Sequence, residues 1–217
     1  SSFSRKLEQY GTDIYVMAYA QAQSDWKREI IVSILDSFLV AFWKNKLKVQ
    51  VEDVEISKDT LATLMDEYKD SVDGYVCSYY NVLISTETKW VEEENFYGLG
   101  GIKFGVLLMD EDASRRVAMV RQTGMKIKDQ GGISGYIPFM GVMLIEGEAI
   151  NTQLRLIENP QHTEWEPKRS ANEQQARLLL KALNDFMKNK VGELASQDSS
   201  TELDAVGLGD LLPDDID

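Results

Sequence analysis

The segment that most constrains the fold is residues 117–128 (VAMVRQTGMKIK), together with the apolar segments on either side of it. Before it, residues 102–109 alternate between apolar and small or polar residues, which is typical of a half-buried strand. After it, residues 139–145 (FMGVMLI) form a continuous apolar run, which indicates a fully buried strand. These segments predict a sheet, with strands at 102–109, 115–122, 125–128 and 139–145, as the spine of an α/β domain.

Acidic and glycine-rich segments separate these strands. Residues 110–112 (DED) are interpreted as a hairpin turn between strands 102–109 and 115–122, rather than as paired carboxylates for metal or acid–base chemistry. Residues 123–124 (TG) predict a second turn, and residues 129–135 (DQGGISG) predict a flexible loop. The pair of strands joined by the acidic turn is therefore expected to lie at the centre of the sheet.

Apolar residues at helical spacing predict helices outside the sheet. In residues 24–46 they form a broad face of large side chains, so this helix is expected to be a major part of the core. Ser24 is a suitable N-cap, and Lys44 and Lys46 would suit the negative end of the helix dipole. The other predicted elements are helices at 58–69 and 149–157, a last helix that begins at Ser170 or Asn172 and ends near Val191, strands at 13–20, 47–51, 54–56 and 75–85, and a loop or edge strand at 86–101.

The charge of the chain is uneven. Its formal net charge is −13, and the residues after Lys190 contain eight carboxylates and no Lys or Arg, so the remainder carries about −5. A mildly acidic body offers no broad basic surface for phosphate backbones, which disfavours direct nucleic-acid binding and leaves only a local basic patch open. The acidic residues 192–217 have little hydrophobic patterning and are predicted to be a disordered tail that recruits a protein partner.

Cysteine and histidine usage limits the chemistry. The chain contains one cysteine, Cys77, and one histidine, His162, so neither an internal disulfide nor a Cys/His metal site can form. Cys77 is interpreted as a buried structural thiol, and His162 as a loop residue that forms a hydrogen bond rather than a catalyst. A single cysteine fits a reducing cytoplasm.

No segment predicts export or a membrane partner. The first residues are not a signal peptide, and no apolar run approaches the roughly 18 residues that a transmembrane helix needs. Because the chain does not begin with Met, we expect it to be part of a longer protein.

Residues 11–14 (GTDI) open the first predicted strand. Gly11 and Thr12 resemble the Gly-Thr element near the end of the ATPase domain in the gyrase B, MutL and histidine-kinase (GHKL) superfamily and in the related MORC proteins. There a strand, a long helix, a β-hairpin and a short helix follow, which is the order predicted here for residues 13–69. By order of elements the resemblance covers most of residues 8–190, and it is nearest to prokaryotic MORC-like ATPases, some of which are associated with phage defence and DNA modification.

The resemblance implies an α/β (α+β) protein made of three segments. Residues 1–70 would be the end of a GHKL ATPase domain, residues 71–191 a ribosomal-S5-like β/α transducer domain, and residues 192–217 the acidic tail. The general base, the magnesium-binding asparagine and the adenine loop of that superfamily lie upstream of Gly-Thr, and only ten residues precede Gly11. ATP and Mg²⁺ would therefore bind only together with a missing N-terminal part, and the full-length protein would be a homodimer.

The resemblance also implies nucleotide-binding residues. Gly11 and Thr12 would support the nucleotide pocket. A lysine from a transducer loop would reach the γ-phosphate, where a cation distinguishes ATP from ADP and stabilises the transferring group. Lys168, in the polar loop 161–170, is the best placed lysine. Its rivals on the central strand are Lys126 and Lys128.

Plainer interpretations remain open. Gly11 and Thr12 also suit a strand-initiating turn, and the lysines also suit solvated surface charges. The alternative function is a non-enzymatic α/β interaction module whose acidic tail recruits a partner. A stand-alone enzyme has little support, since the sequence contains no Walker A or Rossmann fingerprint.

One further cluster at helical spacing is interpreted as a local salt bridge on one helix face: Asn151, Arg155 and Glu158.

Overall fold

The computed structural model describes residues 25–72, 74–109 and 114–207, with side chains described as far as residue 198. Within these residues the chain is a mixed α/β protein with a five-stranded sheet between two layers of helices. The fold class expected from the sequence, α/β (α+β), is confirmed at this level. The strand predicted at 13–20, Gly11, Thr12, Ser24 and the turn at 110–112 lie outside the described residues.

The elements follow one another as three blocks. A helix, a hairpin and two short helices come first, the sheet strands follow, and two helices come last. The bounds are α1 Trp26–Trp43, β1 Val49–Val51, β2 Val54–Ile56, α2 Leu61–Tyr68, α3 Val76–Ile84, β3 Lys89–Glu93, β4 Ile102–Leu108, β5 Arg116–Val120, β6 Lys126–Gln130, β7 Phe139–Ile145, α4 Glu148–Leu156 and α5 Glu173–Gly207, with 3₁₀ turns at Phe96–Gly98 and Pro167–Arg169.

The order of strands in the main sheet is β3-β4-β7-β5-β6. β7 lies between β4 and β5, antiparallel to the first and parallel to the second. The prediction that β4 and β5 form a central hairpin pair is therefore wrong. The physical reason is burial on both faces: all seven residues of β7 are buried, and such a strand belongs in the middle of a covered sheet.

The two faces of the sheet carry separate hydrophobic clusters, because successive side chains of a strand point to opposite sides. From β7, Met140 and Val142 point into a cluster with α1, the β1–β2 hairpin, α2 and α3. Phe139 and Met143 point into the other cluster, with α4 and α5. Residues 26–68 thus share a core with the sheet, and the division of the chain at residue 70 stays a prediction.

A helix replaces one predicted strand. The sequence predicts a strand at residues 75–85 (YVCSYYNVLIS), because this segment is rich in aromatic and β-branched residues. The structure instead has the helix α3 at Val76–Ile84. Its buried residues include Val76, Tyr79 and Val82, which recur every three positions on one helix face. Packing of that face against α1 and the sheet overrides the strand propensity of the individual residues.

Three predicted boundaries are also corrected. α1 ends at Trp43, and Asn45 then takes a positive φ of 55°. Lys44 lies beyond the helix and forms an ion pair with Glu146. β6 extends to Gln130, into the predicted flexible loop, and α5 runs to Gly207, past its predicted end near Val191. The segment 86–101 does contain an edge strand, β3, with Trp90 stacked on Trp43.

The turn between β5 and β6 requires glycine at position 124. Gly124 has a φ of +89°, and a Cβ there would lie 2.6 Å from Ala41 Cα in α1. We expect Gly124→Ala to lower the free energy of unfolding by about 2 kcal/mol, since backbone strain and overpacking add. Gly132→Ala is the matched control: its φ is +70° but nothing lies within 4 Å of its Cβ position. It should cost about 1 kcal/mol in urea denaturation. Equal losses would contradict the close approach to α1.

No helix in the described part of the chain combines the length and the apolar character needed to cross a membrane.

Candidate functional site

The loop between α4 and α5 is held in one conformation by its own hydrogen bonds. Asn159 Oδ1 accepts the backbone N–H groups of Thr163 at 2.8 Å and Glu164 at 3.2 Å. Glu158 and Trp165 form an isolated antiparallel bridge, and the Trp165 ring is buried in the second hydrophobic cluster. An Asn that bonds to the backbone ahead of it mimics a turn. The loop is therefore a fixed platform on the sheet and not a loose connection.

His162 occupies a strained position in this loop. Its φ is +57°, a left-handed conformation that is uncommon for any residue other than glycine. In that conformation its Nδ1 is within hydrogen-bond distance of Glu158 Oε1. The predicted hydrogen-bonding role of His162 is confirmed. Strain of this kind persists only where the surroundings over-determine it, and it is frequent at binding sites.

Glu158 is the buried centre of the site. Its side chain is 4% exposed, and Arg121 Nη1 donates to Oε1 at 2.7 Å and to Oε2 at 3.1 Å. The sequence predicted a local salt bridge on the α4 face that includes Arg155 and Glu158, and this is wrong. Arg121 follows β5 directly, so the sheet delivers the partner from 37 positions away, a pairing that helical spacing cannot indicate.

Asn151 ties α4 to the same strand end. Its Oδ1 accepts the backbone N–H of Gln122 at 3.0 Å, and its Nδ2 donates to the carbonyls of Ile145 at 2.9 Å and Gly147 at 2.7 Å. The residue is buried, and these bonds satisfy its amide. The end of β5, the end of β7 and the start of α4 are therefore locked together beneath the loop.

An open polar pocket of about 780 Å³ lies where these elements meet. The Arg121–Glu158–His162 cluster is part of its lining. Its exposed lining residues, here called the rim, include Arg155 from α4 and Arg169 from the 3₁₀ turn before α5. Three arginines thus line one concave surface, a composition that suits an anionic ligand with several acceptor oxygens.

Of the three predicted nucleotide-binding residues, the structure describes only Lys168. Lys168 lies in the 3₁₀ turn Pro167–Arg169 and is exposed, immediately before the rim residue Arg169. Gly11 and Thr12 lie outside the described residues, so their position relative to Lys168 is untested. All three assignments remain predictions.

The rival lysines are not the exposed charges that the sequence suggested. Lys126 is 14% exposed and donates to Asp36 at 2.5 Å and to Asp129 at 3.2 Å. It lies over the Tyr79 ring, where burial, reinforced by the Asp129 charge, raises the pKa of the Tyr79 hydroxyl far above its usual range. Lys128 is 22% exposed and pairs with Glu164 at 2.5 Å. Both lysines are engaged in structural ion pairs.

The surroundings of Cys77 suit a structural residue and not a reactive thiol. Cys77 lies in α3, half-buried, with its Sγ 3.9 Å from the Lys69 carbonyl oxygen. Burial raises the pKa of this thiol and makes its reactive thiolate scarcer. In the described ranges, no group of three or more His, Cys, Asp or Glu side chains is placed to hold a metal ion.

Sequence reasoning missed the arginine cluster. Arg121, Arg155 and Arg169 come from three separate elements, and only the pairing of β5 with β7 and the position of α4 bring them to one pocket. The sequence signal for this site is Arg155 and Glu158, three positions apart and just before the loop that contains His162. No periodicity links these two residues to Arg121.

The comparisons with known proteins identify no family: no family model, no curated protein and no solved structure matches the chain.

Proposed function

We propose that this chain is the C-terminal, transducing part of a GHKL-type ATPase, in which a loop lysine reports the state of a nucleotide held by a preceding segment. The single observation that carries the proposal is the setting of Lys168. It stands exposed at the end of a loop that is anchored to the sheet by the buried Trp165 and leads directly into α5. A cation on such a fixed support can move the sheet and α5 when it engages or releases a phosphate.

The order of elements supports the same proposal. A long helix, a hairpin and a short helix come in the order that the GHKL resemblance implies. The helix α3 and the separation of β4 from β5 by β7 depart from that order. On this proposal ATP and Mg²⁺ bind together with upstream residues. Gly11 and Thr12 support that pocket, and the full-length protein closes as a homodimer in a reducing cytoplasm. DNA-directed action, as in prokaryotic phage defence, is the process we propose for it.

The test is ATP turnover by the longer protein, with and without Lys168→Ala. We expect the chain 1–217 alone to show no turnover, the longer protein to hydrolyse ATP, and Lys168→Ala to reduce its kcat by about 10²-fold, the scale for removing one electrostatic stabiliser of the transferring group. Lys181→Ala is the matched control, an exposed lysine on α5, and should leave kcat unchanged.

Two results would overturn the proposal. Turnover by residues 1–217 alone would place the active site in this chain. Absence of ATP binding and turnover in the longer protein would favour the alternative, an interaction module whose acidic C-terminal segment recruits a partner.

A further inference from the structure

The polar pocket between α4, the β5 end and the 159–170 loop has unused capacity for an anion. Arg155 is exposed, and its side chain makes no hydrogen bond or ion pair with any residue that the structure describes. Arg169 is exposed as well, and its side chain has one partner among the residues that the structure describes: the equally exposed Glu166, with 3.7 Å between Nη1 and Oε2. Surface pairs of this kind contribute little and are easily exchanged.

The charge balance of the pocket is positive. Glu158 is already neutralised by Arg121, and His162 contacts the same carboxylate oxygen, Oε1. The remaining carboxylate in the lining, Glu148, is exposed in the first turn of α4. The lining thus holds three arginines against two carboxylates, Glu148 and Glu158, a formal charge of +1 on a chain that is acidic elsewhere. Glu166, the exposed partner of Arg169, lies outside the lining.

Buried, hydrogen-bonded side chains support the lining of the pocket. Two of its lining side chains, Asn151 and Glu158, are more than nine-tenths buried. Asn151 holds the backbone of Gln122 in place, and Glu158 holds the side chain of Arg121. Such support holds the arginines' anchor points in place before a ligand arrives, which reduces the entropy lost on binding. Its volume, about 780 Å³, lies in the range of small-molecule sites.

From these observations we infer that the pocket binds a phosphate group, either free or at the end of a small phosphorylated molecule, with Arg155 and Arg169 as its principal partners and the half-buried Arg121, paired with Glu158, beside them. A dianion with three or four acceptor oxygens matches several guanidinium forks, whereas a carboxylate satisfies only one. This inference does not depend on the proposed ATPase, because the site lies wholly within residues that the structure describes.

The experiment is calorimetric titration of the 217-residue chain with inorganic phosphate, with AMP and with acetate. We expect phosphate or AMP to bind with a dissociation constant below about 1 mM, which corresponds to about −4 kcal/mol. Acetate should bind at least tenfold more weakly. Preference for phosphate over AMP would identify the free ion as the ligand, and the reverse preference a phosphorylated molecule.

Arg155→Gln and Arg169→Gln are the diagnostic variants, because both side chains are exposed and their loss leaves the core intact. Each should weaken phosphate binding about tenfold. Arg177→Gln is the matched control, since Arg177 pairs with Glu173 on α5 and does not line the pocket. No binding at 10 mM phosphate (about ten times the limit above), equal affinity for acetate, an equal loss in Arg177→Gln, or binding of a DNA oligonucleotide in preference to phosphate would each overturn the inference. Lack of ATP turnover in the longer protein would not bear on it.

Discussion

Trp165→Ala is expected to lower the free energy of unfolding by about 3–5 kcal/mol, the usual cost of removing a large buried aromatic side chain. The Trp165 ring is 3% exposed and fills the space between the α4–α5 loop and the second hydrophobic cluster. Its loss leaves a cavity that the loop cannot fill, because the backbone bonds from Glu166 N–H to the Ile157 carbonyl and from Asn159 N–H to the Glu164 carbonyl hold the loop in place. Urea denaturation measures the change.

Trp165→Phe separates packing from hydrogen bonding. The indole Nε1 is buried and has no hydrogen-bond partner among the described residues. Removing it therefore costs no hydrogen bond and relieves an unsatisfied donor, so Trp165→Phe should lose only about 1–2 kcal/mol, the part due to reduced volume. If Phe proved as damaging as Ala, the indole N–H would be a stabilising group and not an unsatisfied donor.

Glu158→Ala is expected to lower the free energy of unfolding by about 3–4 kcal/mol, because it breaks a buried ion pair and leaves a charge without its partner. Arg121 is 20% exposed, and its buried Nε has no hydrogen-bond partner in the described part of the chain, so water can recover only part of the loss. His162 would lose its partner in the same step. Thermal or urea denaturation is the measurement, with Glu148→Ala, an exposed carboxylate in the same pocket lining, as the control.

The double variant Arg121→Met with Glu158→Met tests the mechanism. When both charges are removed, no unpaired charge remains buried. The double variant should therefore lose less free energy of unfolding than the sum of the losses in Arg121→Met alone and Glu158→Met alone. Additive losses would mean that the two side chains stabilise the fold independently, and the ion pair would then not be the cause.

The parts of the fold that periodicity determines were predictable. The face of α2, with Leu61, Leu64, Met65 and Tyr68, is buried as its spacing predicts, and β7 is buried along its whole length. α3 was not predictable in this way, because its aromatic and β-branched residues favour a strand locally and only the surrounding core selects a helix. The helix predicted at 149–157 is confirmed within one residue at each end.

The candidate site was less predictable than the fold. The loop residues were identified, including the hydrogen-bonding role of His162, because a lone polar residue in a polar loop has few other uses. The spacing of its partner Glu158 predicts only a local contact with Asn151 and Arg155, whereas the structure pairs Glu158 with Arg121. The contact between Arg121 and Glu158 depends on the strand order. The apolar run of β7 indicates a central strand, but no local pattern in the sequence identifies β4 and β5 as its two neighbours.

That strand order has a consequence for the sequence of events during synthesis. β4 and β5 are made first, yet neither has its inner neighbour until residues 139–145 emerge from the ribosome. Until then two apolar strands present open backbone edges, which are the surfaces that promote misassembly of partly folded chains. The sheet can therefore be completed only after β7 has been synthesised and has inserted between β4 and β5. The contacts between residues distant in sequence that this step requires favour slow folding.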